Sequence, residues 1–181
     1  APDMDRAARM VAEEIERAGG RADIVTGPGK PLVLGEVPAS SGDPSAPRVV
    51  LYGHYDVQPI GDPSLWTTPP FEPTIRDGNL YARGASDDKG NLFMLIAAVQ
   101  RLAATGDLPV RAAFVVEGEE ECGGDSALAH LAADVEPSLA TIIFDGPMIG
   151  PGRPAICTGV RGLVARRLRV RSAAADAHSG L

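Results

Sequence analysis

An apolar run, Arg48-Val49-Val50-Leu51-Tyr52, ends in Gly53 and is followed at once by His54-Tyr55-Asp56-Val57. In an extended chain, side chains two residues apart share a face, so His54 and Asp56 emerge together where a buried strand ends. A carboxylate beside a histidine fixes the tautomer of the ring and raises its basicity, the arrangement found around metal-binding histidines. Two further acidic clusters border apolar segments. One is Asp87-Asp88, inside Arg83-Gly84-Ala85-Ser86-Asp87-Asp88-Lys89-Gly90. The other is Glu119-Glu120-Glu121, between Val115-Val116 and Gly123-Gly124. Asp145 closes Thr141-Ile142-Ile143-Phe144. One imidazole and several carboxylates form a donor set for a divalent cation.

Each of these features has a plainer reading when taken alone. A histidine after a strand is more often structural than a ligand, and Asp56 could serve a turn. Asp at a helix start caps free amides and meets the positive end of the helix dipole, a role that suits Asp88. It leaves Asp87 free to bridge two cations through its two oxygens. A charge run is usually a solvated face, but 119–121 directly follows a buried strand. There one carboxylate can ligate a cation while its neighbour takes a proton from water. His178, in Asp176-Ala177-His178-Ser179-Gly180, is weak alone, since adjacent His and Ser do not make a catalytic triad. No P-loop, Gly-x-Ser-x-Gly elbow or zinc-type cysteine pair is present.

The elements that must position these residues follow from periodicity. Met4, Ala8, Val11 and Ile15 predict a helix over 4–18, stopped by Gly19-Gly20. Residues 24–37 hold two short strands broken by Gly27-Pro28-Gly29, and 48–52 is the buried strand. Residues 59–73 form a Pro-rich loop with the single Trp66, and Asp77-Gly78 turns a hairpin over 74–81. Leu92, Leu95, Ile96, Val99 and Leu102 share one face of a helix over 89–105. Strands are expected at 110–116, 141–144, 156–158 and 163–170, and a short helix at 126–133, where His130 is structural. Alternating strands and helices predict an α/β fold with a mainly parallel mixed sheet flanked by helices. Ligands of such sheets bind beyond the carboxyl ends of the strands, where His54, Glu120, Glu121 and Asp145 all fall.

The chain has 181 residues, 44% of them apolar, and a formal charge of −7. That balance argues against nucleic acid or an anionic membrane as partner. No apolar run approaches the roughly 20 residues of a membrane span. Two cysteines, Cys122 and Cys157, and no secretory signal make a cytoplasmic protein with free thiols the expectation.

Together the segments resemble the M20 metallopeptidase family, which includes carnosinase-like dipeptidases, glutamate carboxypeptidases, aminoacylases and succinyl-diaminopimelate desuccinylases. Five motifs match in order: Gly53-His54-Tyr55-Asp56-Val57, Gly84-Ala85-Ser86-Asp87-Asp88-Lys89-Gly90, Glu120-Glu121 with its following glycines, Asp145, and Ala177-His178-Ser179-Gly180. The resemblance implies two divalent cations, zinc by default, with manganese or cobalt able to use the same ligands. His54, Asp87 and Asp145 would bind the first, and Asp87 and Glu121 the second. Asp56 would orient His54, Glu120 would be the general base, and His178 would donate to the oxyanion, commonly at a partner subunit's site. It also implies a cis peptide bond between Asp87 and Asp88 and a homodimer when full length.

The expected activity is hydrolysis of dipeptides or short peptides, the branch suggested by Tyr55-Asp56-Val57-Gln58-Pro59, Trp66, Pro70-Phe71 and Leu80-Tyr81-Ala82-Arg83-Gly84. An N-acyl-amino-acid deacylase of the same family is the alternative, and a non-catalytic binding or assembly module that keeps the fold is the alternative of another class. Family members are longer, and they supply one more histidine to the second cation. The chain is therefore expected to be the N-terminal part of a longer enzyme. Residues 1–160 would belong to the catalytic domain and 161–181 to the start of a lid domain. As it stands the second cation site would be incomplete.

Overall fold

The computed structural model describes residues 2–26, 29–146, 148–150, 152–153, 155–159 and 162–170. The chain forms two compact units, Ala1–Pro147 and Met148–Leu181. The first begins with helix α1 (Pro2–Arg17), followed by strands β1 (Arg21–Val25), β2 (Leu32–Val37) and β3 (Arg48–His54). The hairpin β4 (Thr74–Arg76) and β5 (Asn79–Tyr81) precedes helix α2 (Lys89–Thr105), strand β6 (Arg111–Glu117), helix α3 (Ser126–Ala133) and strand β7 (Ala140–Ile143). Five strands form one mixed sheet in the order β1-β2-β6-β3-β7. β1 pairs antiparallel with β2 and β2 with β6, whereas β3 runs parallel to both β6 and β7. The α/β architecture expected from the alternation of elements is the one observed.

Alternation explains the core. Val33 and Val37 on β2, Leu51 and Tyr55 at the end of β3, and Ala112, Phe114 and Val116 on β6 are separated by even numbers of residues, four or two, and so share a face of the sheet. They pack with Ala8, Val11 and Ile15 of α1 and Leu92, Ile96 and Val99 of α2. The helical stripes are those the 3.6-residue spacing predicts, except that Leu102 stays 39% exposed near the end of α2. Gly106 ends that helix in the left-handed conformation, with φ of 76°. No helix among the described residues is long and apolar enough to cross a membrane.

Two expectations fail. Residues 156–158 and 163–170 form no strand among the described residues. Ile156, Leu163 and Leu168 are about nine-tenths exposed, and a strand needs a ladder partner that periodicity alone does not provide. Asp88 occupies the N-cap position of α2 but makes no capping hydrogen bond with its side chain, because that side chain is turned toward β3.

The amino ends of β3 and β6 are held by charge. Arg48 and Arg111 are partners in the parallel register. Arg48 donates to Asp134 at 2.6 Å and to the Glu136 carbonyl at 3.1 Å, and Arg111 pairs with Glu136. The hydrogen bond from Arg48 holds the Asp134 carboxyl below the usual range. Its contribution is therefore complete above the unfolded value near 4 and is lost as pH falls through the lower folded value. Arg48→Met is expected to cost about 2–3 kcal/mol in urea denaturation at pH 7. The loss should shrink in acid, where the wild-type pair is itself broken.

Candidate metal centre

Three parallel strand ends and one helix start build the site. His54 is the last residue of β3 and pairs in register with Glu117, the last residue of β6. Glu120 and Glu121 lie in a short 3-10 turn, Glu120–Cys122, that follows β6. Asp145 stands two residues beyond the end of β7, and Asp87 and Asp88 directly precede α2. Gly53 is required by close approach. A Cβ there would lie 2.8 Å from Asp88 Oδ2 and 3.1 Å from Leu92 Cδ1. The peptide bond between Asp87 and Asp88 is cis, as the resemblance implied.

His54 is fully buried and sits at the centre. Its Nδ1–H donates to Asp56 Oδ1 at 3.1 Å, and its Nε2 faces Asp87 Oδ1 at 3.1 Å, Asp145 Oδ2 at 3.7 Å and Glu120 Oε2 at 3.9 Å. The backbone N–H of His54 donates to Asp88 Oδ2 at 3.2 Å. Asp56 also accepts from the Glu121 N–H at 3.1 Å, so one carboxylate ties the β3 end to the acidic turn. Gln58 holds Glu121 from the other side, its N–H reaching Oε1 at 3.1 Å and its side-chain amide reaching Oε2 at 2.7 Å.

The potential donor atoms fall into two sets, His54 with Asp87 and Glu121, and His54 with Glu120 and Asp145, each within 4.8 Å of one another. All the residues expected as ligands meet here, together with Asp56 and Glu120. His178 lies outside the described residues. Sequence reasoning passed over Gln58 and the buried Asp88. The signal for Asp88 was its place in the same Gly-flanked pair as Asp87, but local rules assigned it to the helix cap.

The electrostatics are those of crowded acids. Burial opposes protonation of His54, but its hydrogen bond to Asp56 and the charges of Asp56, Asp88 and Asp145 outweigh it and raise the pKa to about 9. Burial pushes Asp88 up to about 6, with the charge of Asp145 adding to it. Burial also raises Glu120, against the opposing His54, with Asp145, Glu121 and Asp56 contributing in the same direction. Asp145 is raised chiefly by burial as well. Among the described residues no Lys or Arg forms an ion pair with Asp56, Asp87, Glu120, Glu121 or Asp145. Lys89 feels the charges of Asp56, Asp87 and Asp88 without pairing directly with any of them. One imidazole whose far nitrogen is held by a carboxylate, ringed by carboxylates that outnumber the cationic groups near them, fits a divalent cation that takes nitrogen and oxygen ligands.

Comparison with known proteins agrees with this chemistry. The chain is 35% identical to the cysteinylglycine-S-conjugate dipeptidase of Corynebacterium striatum over 97% of its own length and 39% of that protein. It is 34% identical to the Beta-Ala-His dipeptidase of Rattus norvegicus over 94% of its length and 37% of the relative. Among solved structures, an M20 family metallo-carboxypeptidase from Sulfolobus solfataricus superposes with a TM-score of 0.72 at 30% identity, covering 80% of this chain and 33% of the other. Human carnosine dipeptidase 1 superposes with a TM-score of 0.68 at 34% identity, covering 82% and 35%. The chain thus spans about two fifths of the length of the curated relatives it matches. Residues 50–176, which include every donor named above, match the Peptidase family M20/M25/M40 as a unit, and the chain belongs to that family.

Proposed function

We propose that the chain carries most of the metal centre of a two-cation dipeptidase that uses Glu120 as general base. The observation that carries the reading is the buried His54, its Nδ1 held by Asp56 and its Nε2 ringed by carboxylates from three separate segments. In the division implied by the family resemblance, His54, Asp87 and Asp145 would hold one cation and Asp87 and Glu121 the other. Zinc is the first choice, and manganese or cobalt suit the same donors. When bound, such cations supply Lewis acidity toward the scissile carbonyl and the attacking water.

The protein's own residues do the rest. Asp56 fixes the His54 tautomer so that Nε2 presents its lone pair. Gln58 aims Glu121 by two hydrogen bonds. Glu120, raised by burial, takes the proton of the water and returns it to the leaving amine. Dipeptides are the proposed substrates because the relatives that align over nearly all of the chain are named dipeptidases. His178 is assigned to the oxyanion, in a lid domain beginning near residue 161, within a full-length homodimer. The exposed thiols of Cys122 and Cys157 suit a reducing cytoplasm.

The test is calorimetric titration with Zn²⁺, Mn²⁺ and Co²⁺, paired with a screen of dipeptides against N-acyl amino acids on the full-length enzyme. Cation uptake with cleavage confined to dipeptides is expected. Absence of uptake overturns the metal centre, and cleavage confined to N-acyl amino acids replaces dipeptidase by deacylase.

A further inference from the structure

The residues beside the donors make a pattern of their own. Tyr55 lies between His54 and Asp56, and Glu119 immediately precedes Glu120 and Glu121. Both are buried, at 2% and 6% exposure, and both reach the same short segment, residues 29–31, between β1 and β2. The Tyr55 hydroxyl donates to the Pro31 carbonyl at 2.6 Å. The Lys30 N–H donates to Glu119 Oε2 at 2.7 Å, and the Ser126 N–H donates to Oε1 at 3.1 Å. Gly29 completes the circuit, its N–H reaching Ser126 Oγ at 3.0 Å.

The fit leaves no spare room. A Cβ at Gly29 would come 2.0 Å from Glu119 Oε2, one at Gly124 would come 1.8 Å from Glu119 Cγ, and one at Gly118 would come 2.4 Å from the Tyr55 hydroxyl oxygen. Among the described residues Glu119 has no Lys or Arg side chain in an ion pair. Backbone N–H groups and the amino end of α3 compensate its charge instead. A buried carboxylate held chiefly by backbone N–H groups, with the Ser126 side chain adding to them, is a rigid and directional link, because each N–H it accepts from belongs to a fixed segment.

We propose that Tyr55 and Glu119 are positioning residues that use residues 29–31 as a common anchor. They hold the His54–Asp56 end of β3 and the Glu120–Glu121 turn in the register that cation binding requires. The consequence appears at the site itself, where the Glu121 N–H meets Asp56 Oδ2 at 3.1 Å. That amide reports the register directly. The proposal rests on the metal-centre reading for its functional meaning, while its structural claim can be read without any cation.

Three variants of the chain decide it. Tyr55→Phe removes one hydroxyl and keeps the ring. Glu119→Gln keeps the volume but turns an NH₂ group toward a backbone N–H. Arg48→Met weakens the fold at the opposite end of β3, about 20 Å away at the rise of a strand. Amide hydrogen exchange at Glu121 in the cation-free protein is expected to quicken about fivefold in Tyr55→Phe and at least about tenfold in Glu119→Gln, and to stay unchanged in Arg48→Met when read below its melting range. Zn²⁺ and Mn²⁺ affinity should fall in the same order, with the double variant weaker by less than the product of the two single effects because both act through one segment. Unchanged Glu121 exchange in both site variants, or exchange and affinity that simply track melting temperature across all three, overturns the proposal. A wild type that takes up no cation while Glu121 exchange responds as described overturns the proposed function and supports the anchoring.

Discussion

Glu120→Gln is expected to slow dipeptide hydrolysis by the full-length enzyme about 10²–10⁴-fold, the usual worth of a positioned general base. The amide has nearly the shape of the carboxylate but cannot accept a proton. The prediction has a second half because Glu120 occupies an unusual place. Its Oε2 lies 3.9 Å from His54 Nε2, and with His54 and Asp145 it forms one of the two convergent donor sets. A base must sit within reach of the cation's water, so the same position serves a ligand or a base equally well. The two roles separate in calorimetry. As a base, Glu120→Gln leaves both cation affinities within a few-fold while kcat collapses and KM holds. If one cation is lost together with activity, Glu120 is a ligand and the base must be sought elsewhere. Undiminished hydrolysis with cation bound would exclude both roles.

His54→Ala should have the larger effect on the protein itself. His54 belongs to both donor sets, so its removal is expected to weaken cation binding by more than about 100-fold, the upper range for losing merely an outer partner of a ligand. In the cation-free protein it also leaves Asp56, only 6% exposed, without the imidazole that depresses its pKa against the effect of burial. Breaking a buried pair in this way costs about 3–5 kcal/mol. Urea denaturation measures it, and adding Asp56→Asn should recover part of the loss.

The pH dependence carries a matching signature. The folded pKa of His54, about 9, exceeds its unfolded value near 6.5. Its contribution is therefore complete below about 6.5 and is lost as pH rises through about 9. Asp88 acts in the same direction at lower pH. Its folded value of about 6 lies above the unfolded value near 3.9, so the native state loses stability as pH rises between them. The urea midpoint of the cation-free wild type should thus fall from pH 6 to pH 9, and His54→Ala should lose that fall. A cation bound at His54, as proposed, would have to displace its proton, so the stability it adds should grow with pH over the same range.

Much of this protein was legible in its sequence because the signals are local. The stripe Ala8, Val11 and Ile15 needs only the helical period, and the Asp77-Gly78 turn only its own backbone, with φ of 50° and 76°. His54 and Asp56 could be paired because alternation puts i and i+2 on one face, and they are hydrogen-bonded at 3.1 Å. Local signals failed where a residue's partner lies far along the chain. Asp88 looked like a helix cap, but its carboxylate accepts the N–H of His54, thirty-four positions earlier. Residues 156–158 and 163–170 have strand-like composition without a strand among the described residues, since pairing is a property of two segments and composition a property of one.

The sequence by itself determined which residues can donate to a cation and that strand ends and a helix start would carry them. Only the tertiary structure decided which donors lie near one another, with His54 common to two sets, and which hydrogen bonds Gln58, Glu119 and Tyr55 make. The reason is physical. Donor chemistry is intrinsic to each side chain, whereas the distance between donors is set by how β3, β6 and β7 are stacked in the sheet and by the hydrogen bonds that fix their loops.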